Sequence, residues 1–417
     1  MLAAAGMEQV QTTCCIAGGG PAGMMLGLLL ARAGVATLVL EKHADFLRDF
    51  RGDTIHPSTL EVLHELELLE AFLALPHQQA RELHGNIEGV QFPLADFSRV
   101  PARCKFIAFI PQWDFLDFLA QKAARYAGFA LRMRAEATGL IEEAGRVVGL
   151  RAQTPQGPLE VRADLVVAAD GRGSVLREKA GLRVRALGAP MDVLWFRLSR
   201  RADDPNEFMG RFAAGRIFIL INRDTYWQCG YVIAKGSMAR LRAAGIGGLR
   251  AGVATVAPFL ADRTGELRGW DDVALLTVRV DRLEQWYREG LLCIGDAAHA
   301  MSPVGGVGIN LAIQDAVAAA NLLSAALRDG RLRVPDLAKV QQRRLWPTRV
   351  TQGFQVAAQT RIISRVLHDD GGTLQPPAAV RLLARFPALR RLTARLIGIG
   401  VRPEHVASPK RPGSTTR

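Results

Sequence analysis

The chain has 417 residues, 49% of them hydrophobic and 22% charged, with a formal net charge of +13. That much chain buries a sizeable core, is too long for one simple globular unit, and predicts two domains. The charge is localised: residues 325–417 hold 18 Lys+Arg and 5 Asp+Glu, which accounts for the whole excess and leaves the body neutral.

The leader MLAAAGMEQVQTT has no positive start and no apolar stretch of signal-peptide length, so no targeting segment is expected. Charges or glycines interrupt every apolar run, and no membrane span is expected either. Five cysteines without a CxxC pair or a framework spacing fit a reducing, cytoplasmic setting.

Residues 10–17 read as a strand, 21–33 as a helix and 35–40 as a second strand closing on Glu41 and Lys42. Between strand and helix stands GGGPAG, in which Gly18, Gly20 and Gly23 form G-x-G-x-x-G around Pro21 and Ala22. The first glycine permits the tight turn, the second lets a pyrophosphate reach the backbone, and the third lets helix and strand pack closely. Unpaired N–H groups at the helix start meet the phosphate charge. Glu41 would accept hydrogen bonds from the adenosine ribose. A structural turn is the bland alternative, and the unit by itself does not separate FAD from NAD.

The stretches RGDTIHP (51–57) and PQWDFLDFLA (111–120) follow, the first with a capping-box pattern from Ser58 to Glu61. ADLVVAADGRGSVLRE (163–178) is an apolar strand ending in Asp170-Gly171. From 185 to 285 the alternation changes to period two in VLWFRLSR, RIFILINR, YWQCGYVIAKG and VALLTVRVDRL, with helical material between the last two. A second glycine-rich stretch there, GIGGLRAG (245–252), follows no strand and reads as a loop between helices. Within YWQCGYVIA, Trp227, Cys229, Tyr231 and Ile233 share one face and Tyr226, Gln228 and Val232 the other. GLLCIGDAAHAMSPVGGVGINLAIQDA (290–316) is another buried strand, ending in Gly295-Asp296, then Pro303, the glycines 305, 306 and 308, and an Ala-rich helix. An aspartate directly after a buried strand sits at the carboxyl edge of a parallel sheet, where ligands bind.

The tail segment VRLLARFPALRRLTARLIGIG spaces Leu382, Leu383, Phe386, Leu389, Leu392 and Leu396 as on a helix, with arginines between them and an interruption at Pro387. It is expected to pack its apolar side on the body. Membrane-surface docking is the second reading. Nucleic acid is disfavoured, since the tail has little aromatic content and no binding motif.

In the order and spacing of these motifs, the chain resembles the single-component FAD aromatic hydroxylases typified by p-hydroxybenzoate hydroxylase. The resemblance spans residues 10 to about 325. It implies an α/β fold: a Rossmann-like FAD-binding domain from residues 1–80, 105–184 and 285–345, interleaved with a smaller substrate domain built on a mostly antiparallel sheet from 81–104 and 185–284, and a basic helical segment at 346–417. It implies that Arg51 and Gln112 contact the ribityl-pyrophosphate region, that Asp296 bonds a ribityl hydroxyl, and that Asp170, with Gly171, lies near the pyrophosphate. Backbone N–H groups around Gly308, Ile309 and Asn310, led in by Pro303, Gly305 and Gly306, would face the flavin N1 and C2 carbonyl, where reduced flavin carries negative charge. Tyr226, Trp227 and Gln228 become pocket candidates, against ordinary sheet packing. Asp170 and Asp296 could instead cap helices. His56 and His299 read as structural rather than as catalytic bases, and no catalytic side chain or metal is assigned.

The implied chemistry is reduction of FAD by NADH or NADPH, addition of O2 at flavin C4a, and oxygen transfer from the hydroperoxide to a phenol, polyketide or quinone precursor. A flavin halogenase would carry W-x-W-x-I-P and a nearby lysine, and neither is present. Two further readings stay open: a reductase of a prenyl or other apolar substrate, and a flavin-binding regulator that oxygenates nothing.

Overall fold

The computed structural model describes residues 7–47, 53–205, 209–367, 376 and 378–411. The first strand, β1 (Glu8–Ala17), runs from an exposed start into the wholly buried Cys14, Cys15 and Ile16. It pairs in parallel with β2 (Thr37–Leu40), which pairs in parallel with β3 (Phe129–Arg132). On its other side β1 pairs with β4 (Gly157–Ala168), and β4 pairs with β5 (Leu291–Cys293), all parallel. The parallel order is therefore β5-β4-β1-β2-β3, with antiparallel strands Arg146–Thr154 and Glu136–Glu143 continuing from β4. Both faces are covered, which is why the inner strands read as unbroken apolar runs instead of alternating ones.

The crossover helix α1 (Pro21–Arg32) starts on a proline, whose missing N–H costs nothing at that position. It ends one residue earlier than the apolar pattern predicts, because Gly34 turns at φ +82° and Val35 donates its N–H back to Leu30, so β2 begins at Thr37 and not at Val35. Helix α2 (Pro57–Glu65) likewise starts on a proline, after His56, so Ser58 lies inside its first turn and does not cap it. Next come α3 (Gln112–Ala123), the short α4 (Val175–Lys179) and the long α5 (Gly308–Arg328), which packs on α1. Contrary to expectation, among the described residues one helix, Val304–Arg328, is apolar and long enough to span a bilayer by composition. With 72% of that apolar window buried inside the protein, it is a core helix.

The second sheet has seven strands in the order 274–276, 191–199, 226–234, 216–222, 209–213, 82–87 and 90–96, and every pairing except 209–213 with 82–87 is antiparallel. Residues 82–96 thus join the strands after 190 in one layer. The expected fourth strand splits: Ala274–Leu276 stays in this sheet, while Asp281–Leu283 pairs with Val184–Ala186 in a separate ribbon. GIGGLRAG is not a loop. Only Gly245 breaks the chain, at φ +84°, and helix Ile246–Val256 covers the rest and packs on the sheet.

Helix α6 (Val334–Ala358) runs straight through residues 345 and 346, so the boundary expected there falls inside a helix whose Pro347 is tolerated without ending it. The tail forms α7 (Ala378–Arg385) and α8 (Pro387–Gly398), separated at Phe386. The side facing the body takes in Leu383 and Leu389, which are half-buried, but not the remaining leucines. Gly398 presses on Phe97 and Pro57 and Ala394 is fully buried, whereas Leu382, Phe386 and Leu392 are about half exposed. Small residues permit the close helix approach that leucines would block.

Candidate active site

Three parallel strand ends, Ala17, Ala168 and Cys293, lie side by side at the carboxyl edge of the first sheet. Gly18 leaves β1 at φ +108°, and a Cβ there would overlap the carbonyl oxygen of Ala169. A Cβ on Gly23 would overlap the carbonyl oxygen of Gly18, so α1 and β1 touch backbone to backbone. Gly20 differs: a Cβ there would meet nothing within 4 Å. Steric demand from the protein explains two of the three glycines, and the third borders open space at the start of α1. Pro21 and Ala22 complete the turn, and a Cβ on Gly295 would lie 3.0 Å from that of Ala22, which brings the Gly295-Asp296 turn onto the same helix end.

Glu41 follows β2 beside this turn, its carboxylate accepting from the Gly19 N–H at 2.9 Å and the His43 N–H at 3.1 Å. Lys42 is exposed next to it. Asp170 accepts the Leu176 N–H at 3.3 Å through Oδ2, so it does cap α4, together with Ser174, which accepts from Arg177 N–H. Its Oδ1 is buried without a partner, and burial pushes the carboxyl above the usual range. An unsatisfied buried oxygen beside Gly171, which turns at φ +86° into open space, is a polar group in want of a ligand. Asp296 accepts from Arg172 Nε at 3.0 Å, both side chains 29% exposed. The sequence reading passed over Arg172, although it stands two residues after Asp170 within the quoted ADGRGS.

The loop before α5 closes the other end. Pro303 leads into Gly305 (φ +80°) and Gly306 (φ +63°), and a Cβ on Gly306 would come within 2.6 Å of Thr54 Oγ1. Thr54 donates that hydroxyl to the Gly306 carbonyl at 2.9 Å. Asn310 binds the two segments together: its Oδ1 accepts from His56 N–H at 2.8 Å and Thr59 Oγ1 at 2.7 Å, and its Nδ2 donates to the Thr54 carbonyl at 3.1 Å. Its side chain is a brace, which leaves the main chain of Gly308 and Ile309 as the first turn of α5, where N–H groups lack helical partners.

Both histidines are buried. Burial lowers His56 to about 4, so it is neutral, with Nδ1 on the Ile397 carbonyl at 2.8 Å and Nε2 unpartnered. His299 Nε2 meets Asp315 at 2.6 Å, and Asp315 also accepts from Arg344 at 2.9 Å. Burial would raise the Asp315 carboxyl, but its contacts with His299 and Arg344 together outweigh it and hold it low.

Arg51 lies outside the described residues. Gln112 starts α3, its N–H donating to Asp53 Oδ1 at 3.1 Å. Asp53 pairs with Arg223, which leans across from the loop before strand 226–234, and both are nearly fully buried. Arg223 also donates to Gln228 Oε1 at 3.1 Å, and Gln228 Nε2 is buried without a partner. Period-two alternation carries no signal for this cross-domain pair. Val232, on the face of strand 226–234 that bears Gln228, shares a cluster with Val304 of the loop before α5. Trp227 is corrected as a pocket candidate: it points the other way, into the core under helix Ile246–Val256, 1% exposed, with Nε1 on Asp204 at 2.8 Å. Tyr226 is half-buried under the Arg197 guanidinium, 4.9 Å from its ring centroid.

Residues 11–352 match the FAD binding domain family model, and the chain belongs to that family. It is 31% identical over 393 residues to 6-methylpretetramide 4-monooxygenase of Streptomyces rimosus, covering 93% of each chain. It is 27% identical over 400 residues to a dialkyldecalin synthase of Streptomyces rugosporus, covering 93% of this chain and 77% of the other. The solved OxyS anhydrotetracycline hydroxylase from Streptomyces rimosus superposes with a TM-score of 0.73 at 25% identity, over 97% of this chain and 79% of that one. The class is an FAD-dependent monooxygenase of the aromatic-hydroxylase type, with a parallel-sheet FAD domain interleaved with an antiparallel one.

Proposed function

We propose that the protein takes electrons from NADH or NADPH and uses O2 to hydroxylate a ring of a polycyclic aromatic polyketide. The substrate class rests on the likeness to 6-methylpretetramide 4-monooxygenase across nearly the whole of both chains. The cofactor reading is carried by Gly20, whose open Cβ position no packing demand explains.

In this reading the Gly18–Gly23 turn and the start of α1 hold the pyrophosphate, and Glu41 shifts part of its hydrogen bonding to the ribose. Asp170 Oδ1 and the Asp296–Arg172 pair serve the pyrophosphate and ribityl chain, and Gln112 at the start of α3 contributes from the other side. The first turn of α5 would offer main-chain N–H groups to the negative charge that FAD gains on reduction, an arrangement that stabilises charge best when water is excluded. Bound FAD supplies the activation of dioxygen. The neutral, buried His56 and the braced Asn310 fix the loop and move no proton. The Gln228 face of the second sheet roofs the substrate.

Anaerobic stopped-flow mixing with NADH and NADPH, with and without tetracyclic aromatic polyketides, tests this reading. Bleaching of the flavin that accelerates with a ligand, followed by a product heavier by one 18O atom under 18O2, supports it. Bound flavin that neither NADH nor NADPH reduces would instead favour the flavin-binding regulator that oxygenates nothing.

A further inference from the structure

Away from the flavin edge, the ribbon of Val184–Ala186 and Asp281–Leu283 carries Arg185 directly opposite Arg282. Like charges facing each other across a ladder destabilise it. Arg349 of α6 joins them, and the three guanidiniums share a half-open cleft of about 250 Å3 with Leu283, Glu284 and Leu345. Arg282 is 7% exposed, and its guanidinium donates to the neutral Gln352 Oε1 at 2.7 Å. Burial, with Arg349 and Arg185 adding to it, lowers its pKa. The single carboxylate in the cleft, Glu284, is taken by Arg183 at 2.8 Å. Among the described residues no carboxylate lies within ion-pair distance of Arg185, Arg282 or Arg349. A buried cation facing two more cations is costly without a counter-charge.

We infer that this cleft is an anion site, in which Arg185, Arg282 and Arg349 together bind a phosphate group. The planar forks of arginine match the geometry of phosphate oxygens. The cleft is smaller than a pocket that engulfs a drug-sized ligand, so it takes one charged group and leaves the rest of any larger molecule outside. Gln352 connects the site to the flavin side: it donates to the carbonyls of Asp281 and Ala300, and Ala300 follows the Gly295-Asp296 turn. The phosphate has two sources of the same chemistry, free inorganic phosphate or the phosphate of a nicotinamide dinucleotide.

Isothermal titration of the FAD-loaded protein with sodium phosphate, at an ionic strength matched with sodium chloride, tests the site. The expected result is saturable binding of one phosphate per chain, weakened at least tenfold in Arg185→Ala/Arg349→Ala and largely kept in Arg349→Lys. Both replaced residues are exposed, so unchanged circular dichroism and flavin content serve as the folding control. Absence of saturable binding, or equal binding by the double variant, overturns the inference. Steady-state rates then separate the sources. A tenfold rise in KM for NADPH with KM for NADH unmoved identifies the dinucleotide 2′-phosphate, whereas lost phosphate binding with both KM values unmoved identifies the free anion.

Discussion

Gly18 sits against Ala169: any Cβ on the glycine would occupy the place of the alanine's carbonyl oxygen, so the turns after β1 and β4 meet without a side chain between them. Gly18→Ala is therefore expected to damage the protein even without flavin, because φ +108° and the overlap both act in the unliganded fold. Its apoprotein should melt well below wild type in a calorimetric scan. An unchanged melting temperature would refute the backbone contact.

Gly20→Ala should behave in the opposite way. Gly20 has φ −74° and open space around its Cβ position, so the apoprotein is expected to keep its stability. FAD affinity should fall by about tenfold or more, corresponding to at least ~1.4 kcal/mol, because the methyl group occupies the pyrophosphate path. Flavin fluorescence released on dilution measures it, and equal affinity in the variant would remove the phosphate from that turn.

The Asp53–Arg223 pair joins the loop before α2 to the second sheet, out of water. Removing one partner strands a buried charge, at a cost of ~3–5 kcal/mol. Asp53→Ala and Arg223→Met are each expected to lower the urea midpoint followed by tryptophan fluorescence. The double variant should lose clearly less than the two single losses combined. Additive losses would mean that the two side chains act independently.

His56 sets a pH dependence. Its folded pKa of about 4 lies below the unfolded value of ~6.5, so between these limits the unfolded chain binds the extra proton and stability falls as pH falls. Acidification across that window should cost ~3 kcal/mol from this residue alone. In His56→Asn the slope of stability against pH between 6.5 and 4 should flatten, a difference that thermal scans at stepped pH detect.

Much of this site was legible because its chemistry is local. A glycine that must admit a neighbouring backbone, an aspartate after an apolar strand and a proline opening a helix each leave a mark within a few residues. That Glu41, Asp170, Asp296 and the glycines of the two loops stand at strand ends and helix starts was readable on that basis. What joins distant segments left no such mark: Arg223 meets Asp53 across 170 positions, and Asn310 reaches His56 across 254. Trp227 failed for another reason. Alternation assigns side chains to two faces but does not say which face looks at the flavin, and helix Ile246–Val256, misread as a loop, is what claims the tryptophan side. The tail was misjudged by the same logic: amphipathic spacing nominated the leucines for burial, but Ala394 and Gly398 gave the closer fit.

The last described residues close on the first helix. Arg32 donates to the carbonyl of Ser408, 376 positions away, and Arg411 N–H donates to the carbonyl of Arg32. Glu404 receives Arg343 and Arg344 on the way, and Val406 donates to Glu65. A chain lacking everything after residue 400 would still pack α1 against α5, but would leave Arg32 without its contacts to Ser408 and Arg411, so these residues act as the last clasp on that helix.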